Sequence, residues 1–423
     1  MSGGLRLYAG LTRLVHAAAP GLLRGRIRRG KEDAARWRER LGEAGMARPG
    51  GDVVWIHGVS VGESLSALPV IEKLRSERPD LNVLVTTATT TSAEILAKRL
   101  PPGAIHQFAP IDTPQAAKAF LDHWRPALAV FIESDIWPNL LSGLSARHVP
   151  YALLSARITE KTYNGWQAWR GAVKRVLAGY SLVMAQDRAS EQRLQAMGVT
   201  TGAVANLKTI GAPLNVDDAA LAALEALIGD RRVLLAASTH YGEDALIAHA
   251  LEPYIRDGDL LILVPRHPMK GKDIRIDIEA LGLHVAQRSL KEPLAAGTQV
   301  YLADTLGELG LFFSLADLII MGGSFQSGVG GHNPLEPARL GKSVITGPDI
   351  FNWQGVFDEL LEAGAAFRVG SASDLAFLVG ELRRTPEAIA AADRRAREIS
   401  RRDADTLERI WSALLPLLPE QAP

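Results

Sequence analysis

The sequence predicts an α/β protein built from two Rossmann-like parallel-sheet domains facing each other across a cleft. Three observations predict it. Short β-branched runs alternate with longer amphipathic stretches: "VVWIH", "NVLVTT", "LAVFI", "YALLS" and "LVMAQ", then "VLLAAS", "LLILVP", "DLIIMGG" and "SVITG". Between the two sets, "GAPLNVDDAALAALEALIGDRR" opens with Gly, Pro and acids before turning Ala-rich, as a domain junction does. The halves also echo each other, since "VVWIHGVSVGESLSALPVIEKL" and "VLLAASTHYGEDALIAHAL" both read strand, polar loop, Gly-Glu, helix.

In chain order, residues 1–34 read as a basic amphipathic segment that associates with a membrane, and 35–210 as a first Rossmann-like domain. Residues 211–230 read as a linker, 231–395 as a second Rossmann-like domain, and 396–423 as a charged helix that crosses back to the first domain. At 423 residues with 47% apolar content, the chain can fill more than one core. Lys plus Arg equals Asp plus Glu at 47 each, so no overall field draws the protein to nucleic acid, and none is expected as a partner. The absence of cysteine excludes disulfides, thiol nucleophiles and thiolate metal sites.

Charge is uneven only at the amino end, where residues 1–40 carry ten Lys or Arg against three acids. There "LRLYAGLTRLVHAAAPGLL" is interrupted by Arg6, Arg13, His16 and Pro20. A membrane-spanning helix needs roughly 20 mostly apolar residues, which this stretch does not supply. Arg13 also breaks the apolar core of a signal peptide. The pattern suits a helix lying in the headgroup plane of an anionic membrane, or a solvated helix packed on its own domain.

In open α/β sheets ligands bind beyond the carboxyl ends of the strands, so the loops after strands carry the candidates. "GVSVGES" after the first strand admits three readings. A P-loop lacks its lysine. Gly58-Val59-Ser60-Val61-Gly62 matches the G-x-S-x-G of a serine hydrolase, although it follows the first clear strand rather than an interior one. Ser60 and Glu63 also have the spacing of a capping box, while Glu63 at a helix start has the character of a general base. After the strand "LAVFI" stand Glu133 and Asp135, the second suited to capping the next helix. Lys208 follows a short apolar run in "VANLKTI".

The second half holds "DLIIMGGSFQSGVGGHNPLEPARLGKSVITG", in which a buried strand delivers glycines 322, 323, 328, 330 and 331. Asn333, Pro334, Leu335 and Glu336 then open a helix, which is anion-binding grammar and ordinary helix-start grammar alike. Arg266 and His267 end the strand "LLILVP", where they suit a phosphate or base, and Gly307, Glu308 and Leu309 form a turn whose backbone can read a flat base. D-x-D spacings at Asp257-Gly258-Asp259 and Asp403-Ala404-Asp405 follow no strand at this edge, and H-E-x-x-H is absent.

Taken in order, "GVSVGES", "ESDIWPN", "ANLKTI", "PRHP" and "GGHNPLEPA" resemble the bacterial 3-deoxy-D-manno-octulosonic acid (Kdo) transferases, glycosyltransferases of the GT-B class, over roughly residues 35 to 360. The resemblance implies an inverting, metal-independent and cofactor-free transfer of Kdo from CMP-Kdo to a tetra-acylated lipid A precursor at the cytoplasmic face of the inner membrane. It implies Glu63 as general base and Glu133 and Lys208 as stabilisers of the transition state. It also implies Arg266, His267, Gly307, Glu308, Leu309, Asn333, Pro334, Leu335 and Glu336 as the CMP site. The sequence departs from the family in "ESD", where the family has "ESE", and in an amino-terminal segment less apolar than the usual anchor. The rival readings are a serine hydrolase on Ser60, a GT-B transferase with another nucleotide-sugar donor, and a non-catalytic nucleotide-binding membrane scaffold.

Overall fold

In the computed structural model, which describes residues 3–133, 136–211 and 214–421, two parallel sheets organise the chain into two units. One unit takes the residues up to Gly211 and those from Asp405 onward; the other takes the residues between. The first sheet holds β1 (Val53–His57), β2 (Asn82–Thr87), β3 (Ala104–Phe108), β4 (Leu128–Ile132), β5 (Tyr151–Ala156) and β6 (Leu182–Ala185) in the order β3-β2-β1-β4-β5-β6. All neighbours are parallel, with Ile56 of β1 in register with Val85 on one side and Val130 on the other.

Every residue of β1 is buried, as a parallel strand covered on both faces requires. Alternation splits the strand between two cores. Val53 and Trp55 pack with Phe120, Leu121 and Trp124 of the helix Pro114–Trp124, while Val54 and Ile56 pack with Val70, Ile71 and Leu74 of the helix Val61–Glu77. Each such side chain contributes about 1.5–3 kcal/mol on burial. Trp55 keeps its indole N–H satisfied by donating to Thr86 Oγ1 at 2.8 Å.

The second sheet holds β7 (Val233–Thr239), β8 (Leu260–Pro265), β9 (Val285–Gln287), β10 (Val300–Leu302), β11 (Leu318–Met321), β12 (Val344–Thr346) and β13 (Ala366–Arg368). Its order is β13-β12-β11-β7-β8-β10-β9, again all parallel. In both sheets the chain starts centrally and reverses direction, between β1 and β4 in the first and between β7 and β11 in the second. Loops leaving such neighbours part to opposite faces and open a crevice at the carboxyl edge.

Two expectations about segments change. Residues 218–228, expected within the linker, form the helix Asp218–Ile228, capped by Asp217 and anchored by Leu224 and Ile228 in the second core. The Ala-rich composition there serves close packing rather than tethering. The charged terminal stretch is two helices: Pro386–Ala404 stays with the second unit, and Thr406–Leu414 places Ile410 and Leu414 in the first unit's core.

The amino-terminal segment, for which the sequence allows a membrane-surface helix or one packed on its own domain, is a helix (Gly3–Arg28) built into the first unit. Leu5, Ala19 and Leu23 are buried, Tyr8 donates to Asp112 at 3.0 Å, and His16 Nδ1 lies 2.9 Å from Thr113 Oγ1. Its other face exposes Leu7, Leu11, Leu14, Val15 and Leu22 beside exposed Arg6 and Arg13. The basic collar is partly internal, because Arg40 pairs with buried Glu32 at 3.1 Å and Arg36 with Glu39 at 2.9 Å. Among the described residues, no helix is long and apolar enough to cross a membrane.

Candidate functional site

The loop after β1 answers the question its sequence leaves open. Ser60, in extended backbone, accepts the Glu63 N–H at 3.3 Å, while Glu63 Oε2 accepts the N–H groups of Val59 at 2.6 Å and Ser60 at 3.4 Å. The Ser60 hydroxyl also donates to Glu63 Oε1 at 2.9 Å. The capping box that the spacing allows is thus complete, with the Glu63 carboxylate folded back onto its own loop. Ser60 is occupied as the cap. His57, on the strand before it, lies buried among Trp55, Phe131 and Trp137 with Nδ1 2.8 Å from Thr86 Oγ1. Burial, more than the opposing Thr86 bond, pushes that imidazole down to about 4. The Ser60 hydroxyl is thus engaged by the Glu63 carboxylate within the cap rather than by an imidazole.

Glu63 nevertheless remains half-exposed, and its contacts leave Oε1 with one acceptor position beyond the Ser60 hydroxyl. The second unit provides an internal comparison. Glu243, at the equivalent place after β7, accepts N–H groups from His240 at 2.8 Å, Gly323 at 2.7 Å and Phe325 at 2.9 Å and is 3% exposed. There the carboxylate is sealed between two loops as a fastening.

The neighbouring strand β4 ends at Glu133, a buried non-glycine residue with φ of +63°. Holding a side chain there costs of order 1–3 kcal/mol and persists only where surroundings over-determine it. Here the Glu133 N–H donates to Leu154 O at 3.0 Å, and the carboxylate meets Lys208 Nζ at 2.7 Å. Lys208 stands on a single 3₁₀ turn, Leu207–Thr209, fixed by two side chains. Asn206 Oδ1 accepts the Lys208 N–H at 3.0 Å, and Ser155 Oγ accepts the Leu207 N–H at 3.2 Å. Ser155 itself has φ of +55°, at the irregularity where β5 shifts register against β6. Sequence reasoning missed Ser155, whose role depends on a bulge that no local pattern announces. Asp135 lies outside the described residues. In the helix that follows, Pro138–Ala146, the N–H groups of Asn139 and Leu140 donate to the carboxylate of Asp112, at 3.1 and 2.9 Å.

On the second sheet, the ends of β7, β8, β10 and β11 share one edge. Gly322 allows the loop after β11 to touch β7, since a Cβ there would stand 2.5 Å from Thr239 Cα. The glycine loop returns on itself through Gly331 N–H to Gly323 O at 2.8 Å and ends at His332. That ring stacks on His240, with centroids 5.2 Å apart, planes 9° apart and the two Nε2 atoms 3.1 Å apart. His267 meets the His240 ring edge-on at 5.5 Å, and both Arg266 and His267 are exposed. Sequence reasoning quoted His240 and His332 inside its motifs without assigning them a role.

Asn333 Oδ1 accepts the Leu335 N–H at 3.0 Å, so the helix Leu335–Arg339 starts one residue later than expected, with Pro334 at the cap position. Leu335 is fully buried in the core and leaves only its backbone to a ligand. Glu336 lies 3.5 Å from Asn333 Nδ2, and burial raises its carboxyl above the ordinary range against the pull of Arg339 and Arg266. The turn at Gly307 (φ +86°) leads into the helix Leu309–Leu315. Glu308 is held there by Arg288, which donates from Nε at 2.7 Å, and by Thr305; the guanidinium bond lowers its carboxyl. Leu309 packs on the second core. The Glu308 carboxylate therefore braces the turn, and the backbone is what the turn can offer a base.

Residues 35–210 match the family model described as 3-deoxy-D-manno-octulosonic-acid transferase (kdotransferase). The probable mitochondrial 3-deoxy-D-manno-octulosonic acid transferase of Arabidopsis thaliana is 32% identical over 407 residues, 93% of this chain and 91% of the relative. The 3-deoxy-D-manno-octulosonic acid transferase of Rickettsia bellii is 32% identical over 374 residues, 88% of this chain and 89% of the relative. Among solved structures, the UDP-GlcNAc 2-epimerase of Neisseria meningitidis superposes with a TM-score of 0.54 at 15% identity, covering 86% of this chain and 100% of that one. That likeness concerns the fold alone, two parallel-sheet α/β units of the GT-B class.

Proposed function

This chain belongs to the 3-deoxy-D-manno-octulosonic acid transferase family, and from that premise we propose that it moves Kdo from CMP-Kdo to a tetra-acylated lipid A precursor with inversion. The observation that carries the reading is the carboxyl edge of the first sheet. Adjacent strands there deliver a half-exposed carboxylate, Glu63, and a carboxylate–ammonium pair, Glu133 with Lys208, on strained backbone.

An inverting transfer needs one base to take the proton of the attacking hydroxyl while the bond to phosphate breaks on the opposite face. Glu63 supports that role because it stands half-buried at the carboxyl edge and its Oε1 keeps an acceptor position. Positive charge develops on the sugar as the bond to CMP breaks, and Glu133 is the nearby anion that would answer it. Lys208 would offset the charge growing on the departing phosphate. In the second unit, Arg266, His267, the 307–309 turn and the Asn333–Glu336 segment would hold CMP. The positive groups gathered there are protein side chains, so the reading has no metal ion or cofactor in it.

The acceptor is membrane lipid, and the helix Gly3–Arg28 presents Leu and Val with Arg, suited to an anionic surface at the cytoplasmic face of the inner membrane. The test is mass spectrometry of the lipid product after incubation with CMP-Kdo and the tetra-acylated precursor. A gain of one or more Kdo units supports the reading. No gain with CMP-Kdo, but transfer from a UDP- or ADP-linked sugar, would replace the donor, and no transfer at all would favour the silent scaffold.

A further inference from the structure

We infer that His240 and His332 form the phosphate-ester subsite of the nucleotide site, and that the pair takes up one proton from solvent when the anion arrives. The inference rests on the donor reading above and names a part of that site. Two loops at the reversal point of the second sheet each bring one imidazole, and the rings lie parallel with their Nε2 atoms 3.1 Å apart.

At that separation one Nε2 carries the shared hydrogen and the other presents a bare lone pair. Both Nε2 atoms can donate to one anion only when each carries a proton; solvent supplies the second one here, whereas a shift from Nδ1 would bind the anion without uptake. The fold does not depend on the mutual bond, because Glu243 already fastens the two loops through the N–H groups of His240, Gly323 and Phe325. Both rings are half-buried, and the missing Cβ of Gly323 is what lets His332 pack this close to the loop: a Cβ there would stand 2.9 Å from His332 Nε2.

The groups facing the pair favour an anion. Arg266 and His267 come from the end of β8, Glu243 is occupied by three backbone donors, and Glu336 stands near Arg266. Burial, then Arg266 and the neighbouring imidazoles, push His332 down to about 4, and burial lowers His240 against the pull of Glu243. The empty pair is therefore neutral near pH 7. An anion close by raises such groups by about 1–3 pKa units. The occupied pair thus binds more protons than the empty one, so affinity strengthens as pH falls through the occupied pKa and levels off below the empty one.

The test is calorimetric titration of the full chain with the methyl ester of CMP, which like the donor is a phosphodiester of constant charge across this range. Buffers of different ionisation heat report proton uptake directly. The expected result is fractional uptake that grows from pH 8 to pH 6, with affinity rising about tenfold for a one-unit shift, while cytidine binds independently of pH over the same range. His240→Gln and His332→Gln keep a side-chain donor, and each should bind the ester without uptake; His284→Gln, exposed at the amino end of β9, should retain it. Binding by the native chain with no uptake, or uptake lost in His284→Gln and kept in the other two, overturns the subsite. Failure of the native chain to bind the ester at all overturns the donor reading with it.

Discussion

At the scale of single residues, the argument turns on what two glutamates at helix or strand ends are doing. Glu63 and Glu243 occupy matching places in the two units, and the sequence echo between "GVSVGES" and "STHYGED" made that match legible. The difference in role was not legible, because it lies in what the neighbouring loop supplies: a second pair of N–H groups seals Glu243, whereas Glu63 stays half-exposed. Glu133 could be picked out from its place at the end of β4, but its φ of +63° and its pairing with Lys208, 75 positions along, depend on the sheet. Asparagine tolerates left-handed backbone better than most residues. Glu133→Asn should therefore fold within about 1–2 kcal/mol of the native protein while losing a hundredfold or more in turnover, read by urea denaturation and by product mass spectrometry. Retained turnover would remove Glu133 from the chemistry.

At the scale of elements, periodicity found nine of the strands and missed β3, β9, β10 and β13. Three of those have three residues each, too short to display a period of two and without the all-β-branched Val344, Ile345 and Thr346 that mark the equally short β12, and β3 is an edge strand whose first three positions are only half-buried. The helix Asp218–Ile228 was read as part of a linker because Ala-rich sequence does not say what it packs on. For the helix Gly3–Arg28 the sequence weighed membrane binding against packing, and the structure shows packing on one face with an apolar stripe exposed on the other. Leu11 and Leu14 are 57% and 72% exposed, so their replacement should leave the fold intact. The double variant Leu11→Asp, Leu14→Asp should melt with the native protein yet fail to float with vesicles containing anionic lipid. Unchanged flotation would place the membrane contact elsewhere.

At the scale of the whole molecule, two units of one architecture differ in how acid reaches them. His57 and His106 in the first unit are held neutral at about 4, chiefly by burial, with Arg36 and Arg40 adding to the effect on His106. Unfolding lets them return toward 6.5 and bind protons, so stability is present above about 6.5 and is lost as pH falls toward 4. A full shift of that size is worth roughly 3 kcal/mol for a buried histidine. In the second unit His332 acts in the same sense, but Asp244, raised by burial to about 6, acts in the opposite one, because its native form holds a proton that the unfolded chain releases; Asp112, also raised by burial, offsets one of the two histidines of the first unit. The first unit should therefore lose stability sooner on acidification from pH 7 to pH 5. Seven of the eight tryptophans, all but Trp353, belong to the first unit, so tryptophan emission should report a midpoint that falls further with pH than a calorimetric transition of the second. Equal shifts would contradict this assignment.

The central claim is that the Glu63 carboxylate removes a proton and does more than cap its helix. Glutamine serves the capping position as well as glutamate does, so Glu63→Gln removes the base while preserving the cap. The most direct measurement is Kdo transfer by this variant, followed by mass spectrometry beside its affinity for CMP and its melting temperature. The account predicts native melting, native CMP affinity and turnover reduced at least a hundredfold; native turnover in a folded Glu63→Gln protein would contradict it.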